Sequence, residues 1–201
     1  MRRLVLATRN PGKVREIRAF LAGEEIEILA LDSLAGEEVE ETGATFEENA
    51  RLKAETWSSR TSLPVLAEDS GLEVDALGGA PGVQSARYGG AGLDDAGRNR
   101  LLLASLSAVP SELRTARFRC VLTLARSGRT LATFEGAVEG RILEAPRGTG
   151  GFGYDPVFAS EGRNFGELSR EEKQAVSHRG KALSAFVSAL RRGDARLVSA
   201  C

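Results

Sequence analysis

Short apolar runs alternate with amphipathic helix patterns along this chain, and together they predict an α/β protein. Residues 4–7 form an apolar run that predicts a buried strand, and a polar turn and a helix pattern follow it. The inward positions of this helix are predicted to be Val14, Ile17, Ala19, Phe20 and Leu21. A strand, a glycine-bearing turn and a helix are typical of the opening of an α/β unit.

The rest of the pattern predicts further strands, among them a hairpin. Strands are expected over residues 26–29, 63–67, 72–77, 116–124, 131–138 and 156–158. The alternations over 116–124 and 131–138 are joined through Ser127-Gly128, which is a hairpin signal. We find no internal repeat and no linker. We therefore expect one domain over residues 1–201, built on a mixed sheet, with 193–201 as a loose tail.

Helix starts are marked by two capping boxes, in which a hydroxyl residue precedes a glutamate by three positions. These are Thr45 with Glu48 and Ser169 with Glu172. The first predicted helix runs to about residue 60. Its buried side is expected to hold Phe46, Ala50, Ala54 and Trp57. Another helix is expected over 94–106. A last one begins at Ser177, with its inner face at Ala182, Leu183, Phe186 and Leu190.

Composition and charge exclude several classes of protein. The 27 Lys and Arg residues against 28 Asp and Glu give a formal net charge of −1, which disfavours a nucleic-acid binder. No apolar run reaches the ~18–20 residues of a membrane span, and the N-terminal run is too short for a signal peptide. Cys120 and Cys201 are too far apart for zinc spacing, and Cys120 is expected to be a buried thiol. These features predict a cytoplasmic protein with no membrane or nucleic-acid partner.

The turn after the first predicted strand has the features of an anion site. It consists of Thr8, Arg9, Asn10, Pro11, Gly12 and Lys13. A loop that opens a helix offers free backbone N–H groups, a favourable dipole and here a lysine. The spaced glycines of a Walker A loop are absent. The alternative is an ordinary helix cap followed by a solvated lysine.

Carboxylates follow the strand predicted over 63–67. Glu68-Asp69-Ser70-Gly71 lies at its carboxyl end, where open α/β sheets bind ligands. One acid can face a site while the other supports it, although a plain polar exit from the strand is the alternative. In the acidic stretch 37–41, Glu40 or Glu41 could complete a magnesium site with Asp69.

Two later segments offer groups for a flat ring and its edge. Residues 148–155 formally match G-x-G-x-x-G, but a dinucleotide fold requires this motif to open a helix. Instead, Phe152 or Tyr154 could stack on a ring, unless both simply pack in a hairpin loop. His178, with Arg179, lies at the start of the last helix and could donate to a carbonyl-rich base or a phosphate; the alternative is that this single histidine is structural.

Taken together, these segments resemble the inosine triphosphate pyrophosphatase family, from about residue 4 to residue 192. The resemblance is carried by LATRNPGK (6–13), EETGATFEENARLKA (40–54), LAEDSGLEVDALGGAPGVQSARY (66–88), GTGGFGYDPVF (148–158) and ELSREEKQAVSHRGKAL (167–183). It implies an elongated, twisted, mixed sheet flanked by helices, in two lobes with a nucleotide cleft between them. It also implies a homodimer, a Mg²⁺ requirement, and hydrolysis of the purine nucleoside triphosphates dITP, ITP and XTP to the monophosphate and pyrophosphate.

The resemblance also implies roles for individual residues. Asp69 would be the general base and a metal ligand, with Glu41 or Glu40 as the other metal ligand. Groups on the triphosphate would be Thr8, Asn10 and Lys13 in the loop that also holds Arg9, Pro11 and Gly12, assisted by Lys53, with Ser70 touching substrate. The base pocket would be lined by Phe152, Gly153, Tyr154 and Asp155, and its edge reached by Lys173, His178 and Arg179. A Maf-like pyrophosphatase for modified pyrimidine nucleotides and a non-catalytic nucleotide-binding regulator remain the alternatives.

Overall fold

A computed structural model describes residues 2–33, 37–90 and 92–194 of the chain. The seven strands of these ranges are β1 Arg2–Ala7, β2 Ile26–Ala30, β3 Val65–Val74, β4 Thr115–Arg126, β5 Arg129–Ile142, β6 Phe158–Ser160 and β7 Arg163–Asn164. Their α-helices are α1 Pro11–Leu21, α2 Phe46–Ser58, α3 Asp95–Ser105, α4 Arg170–Val176 and α5 His178–Arg191.

The strands form one mixed sheet in the order β2-β1-β3-β4-β5-β6-β7. β1 pairs in parallel with β2 and β3, whereas β6 is antiparallel to both β5 and β7. The predicted hairpin joins β4 to β5. Both of its turn residues have positive φ, 52° at Ser127 and 75° at Gly128, as a tight turn between twisted strands requires. The α/β class predicted from the sequence is confirmed.

The described chain divides into two compact units. The first unit comprises residues 1–69, 120–136 and 179–201. The part of the sheet that lies in this unit buries apolar side chains on both faces. One face packs against α1 and α5 through Leu6, Ile17, Leu21, Leu66, Leu122 and Phe186. The other packs against α2 through Val5, Ala7, Ala54, Trp57, Val65 and Ala67.

The second unit comprises residues 70–119 and 137–178 and has its own core. Aromatic rings dominate this core: Phe118 packs against Phe158 and Phe165 with ring centroids 4.6 and 6.0 Å apart. Leu102 and Leu106 of α3 and Tyr154 belong to the same cluster. The prediction of a single domain over residues 1–201 stays a prediction, and most of the expected tail lies outside the described residues.

Local sequence signals locate most helices well. Both capping boxes are present, with the hydroxyl of Thr45 or Ser169 accepting from the third residue of its helix. Cys120 is a buried free thiol, as predicted, and burial raises its pKa well above the ordinary value. One predicted inward position of α1 was wrong, because Ala19 lies on the exposed side of this helix.

Two strand predictions were wrong. The strand expected over 63–67 does not end at Glu68, because β3 runs from Val65 to Val74. It takes in residues 72–74 of the strand that was expected separately over 72–77, and Asp75–Leu77 form a 3₁₀ turn instead. The short strand expected over 156–158 is instead a 3₁₀ turn over Asp155–Val157, and β6 begins at Phe158. Within the described ranges, no helix has the length and apolarity needed to cross a membrane.

Candidate active site

Successive side chains of β3 point to opposite faces of the sheet, and this separates Glu68 from Asp69. Asp69 faces the side covered by α2, where it contacts Asn49 and Lys53. Glu68 faces the side covered by α1 and α5, where it contacts Lys13 and Arg179. Each buried carboxylate is therefore compensated on its own face, which explains why a strand can continue through two acids.

On the α2 side, the Lys53 ammonium joins three acceptors. Its Nζ lies 2.5 Å from Glu41 Oε1, 3.2 Å from Asp69 Oδ1 and 2.7 Å from the backbone oxygen of Glu68. The three side chains are largely buried. Glu40, by contrast, is exposed. The structure thus brings Glu41, and not its neighbour, to Lys53 and Asp69.

Burial and neighbouring charges together shift the pKa values of Asp69 and Lys53. Burial raises the pKa of Asp69 above its ordinary value, although the charges of Lys53 and Lys13 oppose the shift. Burial lowers the pKa of Lys53, but the charges of Asp69 and Glu41 outweigh it, so the net pKa is raised. Lys53 therefore stays cationic, while Asp69 is a stronger base than an exposed aspartate.

On the other face of β3, Glu68 is fully buried and bound by an arginine. Its two carboxylate oxygens accept from Arg179 Nε at 3.0 Å and Nη2 at 2.8 Å. The same guanidinium also donates to Glu16 of α1. Lys13 Nζ lies 3.5 Å from Glu68 Oε1. Arg179 therefore belongs to this network in the first unit, whereas His178 belongs to the second unit.

The turn before α1 is capped by its own side chains. Asn10 Oδ1 accepts from the N–H groups of Gly12 and Lys13, and the Asn10 N–H donates to Thr8 Oγ1. The expectation that these N–H groups are free was therefore wrong, because an asparagine at the N-cap satisfies them. The alternative of a solvated lysine was also wrong. The Lys13 side chain is only 15% exposed and reaches Glu68.

Arg9 turns toward acidic side chains. Its guanidinium lies 3.4 Å from Asp32 and 3.8 Å from Glu38, and all three side chains are well exposed. Ion pairs of this kind contribute little to stability. The position of Arg9 adds nothing to the carboxylate–lysine contacts around Asp69, and its predicted contact with phosphate stays a prediction.

Asn49 is a site residue that the sequence reasoning missed. It is fully buried, and its Nδ2 donates to Asp69 Oδ2 at 3.3 Å. Its Oδ1 accepts from the Gly43 N–H at 2.7 Å, which ties the segment after Glu41 to α2. A signal was present in the sequence. Asn49 and Lys53 are four residues apart on a helix, so they share one face.

In the second unit, the glycine loop (residues 148–155) is organised around Asp155. The buried Asp155 Oδ2 accepts from the Phe152 N–H at 2.7 Å and from Lys173 Nζ at 2.5 Å. Lys173 Nζ also lies 4.7 Å from the centre of the Phe152 ring, a cation–π contact. Gly151 has a φ of +72°, and a Cβ there would overlap the Asp155 carboxylate. This position therefore requires glycine.

The two aromatic candidates of the loop differ in exposure. Tyr154 is buried, and its hydroxyl donates to the Ser85 carbonyl at 2.8 Å. Phe152 is only partly buried, so it is the better candidate for stacking. His178 is buried and stacks on Phe118 with ring centroids 4.7 Å apart. Ser70 follows Asp69 in β3 and is partly buried.

The donors around Lys53 fit a hard divalent cation. Glu41 and Asp69 direct carboxylate oxygens at one cationic group, and Mg²⁺ takes one or two protein carboxylates while keeping several waters. Across residues 2–33, 37–90 and 92–194, no three His, Cys, Asp or Glu side chains are grouped closely enough to hold a metal ion. The chemistry of the donors therefore matches magnesium better than a zinc site of three or four ligands.

The sheet and its flanking helices define an α/β protein with buried lysine–carboxylate contacts, and sequence comparison identifies its family. The Ham1 family profile matches residues 4–189. The chain therefore belongs to the Ham1 family. The resemblance to inosine triphosphate pyrophosphatases seen in the sequence motifs is thereby confirmed.

Individual relatives are similar over nearly their whole length. The dITP/XTP pyrophosphatase of Symbiobacterium thermophilum is 54% identical over 184 residues, which cover 91% of this chain and 92% of that protein. That of Escherichia coli is 49% identical over 197 residues, covering 96% and 100%. Among solved structures, a HAM1 protein from Coxiella burnetii superposes with a TM-score of 0.87 at 40% identity, covering 96% of this chain and 100% of that one.

Proposed function

We propose that this chain is a dITP/XTP pyrophosphatase that hydrolyses dITP, ITP and XTP to the nucleoside monophosphate and pyrophosphate, with Mg²⁺. The observation that carries the proposal is the Lys53 ammonium bound by both Glu41 and Asp69. It puts a buried base, a second carboxylate and a fixed cation together on the α2 side of β3. The names of the relatives, at about half identity over nearly the full chain, support the same reaction.

The first unit would bind the triphosphate and carry out the chemistry. Lys13 and Lys53 supply positive charge, and Thr8 and Asn10 supply polar groups beside the start of α1. Asp69 accepts a proton from a water molecule as its oxygen attacks the α-phosphorus. The bond from the α-phosphorus to the bridging oxygen breaks, and pyrophosphate leaves. Asn49 and Lys53 hold the two oxygens of Asp69 in place for this step.

Glu41 and Asp69 would hold the magnesium ion, with Glu40 left in solvent. When bound, Mg²⁺ neutralises phosphate charge and polarises the phosphoryl oxygens. The homodimer that the family resemblance implies and the cytoplasmic location that the sequence predicts are further parts of the proposal.

The second unit would select the base. Phe152 offers a partly exposed ring for stacking, and Lys173 lies over the same ring beside Asp155. Hydrogen-bond donors suit the 6-oxo group of hypoxanthine or xanthine. Lys173 would be one such donor, and His178 would be another, as the family resemblance implies. Adenine has an amino group there and would leave such donors unpaired, a mismatch that can reduce kcat/KM by about 10⁴–10⁵.

A nucleotide panel tests this function. Formation of monophosphate and pyrophosphate is measured for dITP, ITP, XTP, GTP, ATP and dUTP, with Mg²⁺ and with excess EDTA. We expect fast turnover of dITP, ITP and XTP only when Mg²⁺ is present. Preference for dUTP would support a pyrimidine enzyme instead, and binding of ITP without turnover would support the regulator.

Lys13→Ala is expected to weaken binding of the triphosphate more than it slows chemistry. Lys13 pairs with Glu68 on the face of β3 opposite to the contact between Lys53 and Asp69, so its loss removes positive charge that would bind phosphate and leaves that contact in place. KM for ITP should rise by about 5–150-fold, as expected for a lost charge-assisted contact. Steady-state kinetics measure this effect, with Arg15→Ala, an exposed position on the same helix, as the control. Unchanged KM and kcat would show that the turn is only a helix cap.

A further inference from the structure

One helix of the second unit holds both backbone groups of a single residue in the glycine loop. Asp95 Oδ2 in α3 accepts from the Gly153 N–H at 2.7 Å. Asn99 Nδ2 donates to the Gly153 carbonyl at 3.0 Å. Asp95 and Asn99 are four residues apart, so they lie on the same face of α3. Neither residue belongs to the motifs that suggested the family.

Gly153 depends on such partners more than its neighbours do. It follows Phe152 directly and has a φ of +62°, which residues other than glycine rarely adopt. It has no side chain to pack, whereas Tyr154 is fixed through Ser85 and Asp155 through Lys173. The direction in which the chain leaves Phe152 is therefore set at Gly153 by the two α3 side chains.

Stability alone does not explain Asn99. The residue is 4% exposed, and its Oδ1 is buried with no hydrogen-bond partner among the described residues. An apolar residue of similar size would avoid the desolvation of that oxygen. The contact that accounts for an amide at this position is therefore the hydrogen bond that Asn99 Nδ2 donates to the Gly153 carbonyl.

We propose that Asp95 and Asn99 are positioning residues for base recognition, because they fix the backbone of Gly153 and thereby the position of the Phe152 ring on which the base would stack. The inference rests on the proposed function. It predicts that loss of either contact affects recognition of the base and leaves recognition of phosphate unchanged. Inorganic pyrophosphate, which carries no base, is therefore the probe that separates the two.

The test compares Asn99→Leu, Asp95→Ala and Asp95→Asn with the wild type. For each, kcat and KM are measured for ITP and ATP as monophosphate formed, together with the inhibition constant of inorganic pyrophosphate. Asn99→Leu and Asp95→Ala should lower kcat/KM for ITP by about 10–100-fold, the scale of a slightly misplaced substrate group, and narrow the preference over ATP. Inhibition by pyrophosphate should stay at the wild-type value.

Asp95→Asn keeps an acceptor oxygen for the Gly153 N–H and should restore most of the activity lost in Asp95→Ala. Arg100→Ala, an exposed position on α3, is the control and should behave as wild type. Asp95 is exposed, so its variants test the idea even if Asn99→Leu fails to fold. Wild-type kinetics in Asp95→Ala, or equal losses for ITP, ATP and pyrophosphate, would overturn the inference. A wild type that does not hydrolyse ITP would instead overturn the proposed function.

Discussion

Asp69→Asn is expected to lower kcat for ITP by about 10²–10⁴-fold, the usual contribution of a positioned general base, while the protein stays folded. The substitution keeps the size of the side chain and an oxygen for either Lys53 or Asn49. It removes the negative charge and the ability to take a proton from water. Burial raises the pKa of Asp69 above its ordinary value, which makes this carboxylate a better base than an ordinary exposed aspartate.

Glu47→Gln is the matched control for this prediction. Glu47 lies on the exposed side of α2 and loses the same charge, so its variant should keep wild-type kinetics. Circular dichroism and a melting curve establish that Asp69→Asn is folded. Activity of Asp69→Asn within about threefold of wild type would remove Asp69 from the chemistry, since that is far less than loss of a general base produces.

Arg179→Met is expected to destabilise the protein by about 3–5 kcal/mol, because it leaves the carboxylate of Glu68 buried without its main partner. For a chain of this size, that corresponds to a melting temperature lower by roughly 6–20 °C. Lys13, at 3.5 Å, is too distant to replace two hydrogen bonds. The double variant Glu68→Gln/Arg179→Met should recover part of the loss, since it removes the unpaired charge.

Arg191→Met supplies the control for the arginine. Arg191 lies on the same helix and pairs with Glu24, but its side chain is 70% exposed, so its loss should change stability by less than about 1 kcal/mol. Thermal melts of the wild type and of the three variants measure the differences in stability. Equal melting temperatures for Arg179→Met and Arg191→Met, with altered selectivity in the former, would favour the base-edge role that the sequence resemblance implied for Arg179.

Features determined by neighbouring residues could be predicted from the sequence. Both capping boxes and the hairpin turn at Ser127-Gly128 depend on residues at most a few positions apart, and the structure has them where the pattern placed them. The buried face of α2 follows from helical spacing in the same way. In each case, short-range geometry alone fixes the outcome.

The continuation of β3 could not be predicted in this way. Two adjacent acids usually end a strand, and here they do not because Lys53 and Arg179 neutralise them from opposite faces. Arg179 is 111 residues away from Glu68 in the chain, so no local pattern connects the pair. Which of Glu40 and Glu41 lies beside Lys53 also depends on tertiary structure, since the two glutamates are neighbours in the same acidic stretch.

The contacts that hold Gly153 could not be predicted from the sequence either. Its backbone is held by Asp95 and Asn99, residues from a helix that carries no recognisable motif. Spacing showed that α3 exists, but not which of its polar side chains would be buried. Asn49 was missed for the same reason. This buried asparagine of α2 is recognised as a site residue through its contact with Asp69, which lies on a separate strand.

Hydrolysis of ITP in H₂¹⁸O with Mg²⁺, followed by mass spectrometry of the products, tests the central claim most directly. Attack of water on the α-phosphorus predicts IMP carrying one ¹⁸O and pyrophosphate carrying none. Labelled pyrophosphate with unlabelled IMP would place the attack on the β-phosphorus, and IDP with labelled phosphate would place it on the γ-phosphorus. Either of these results, or intact ITP, would contradict the account.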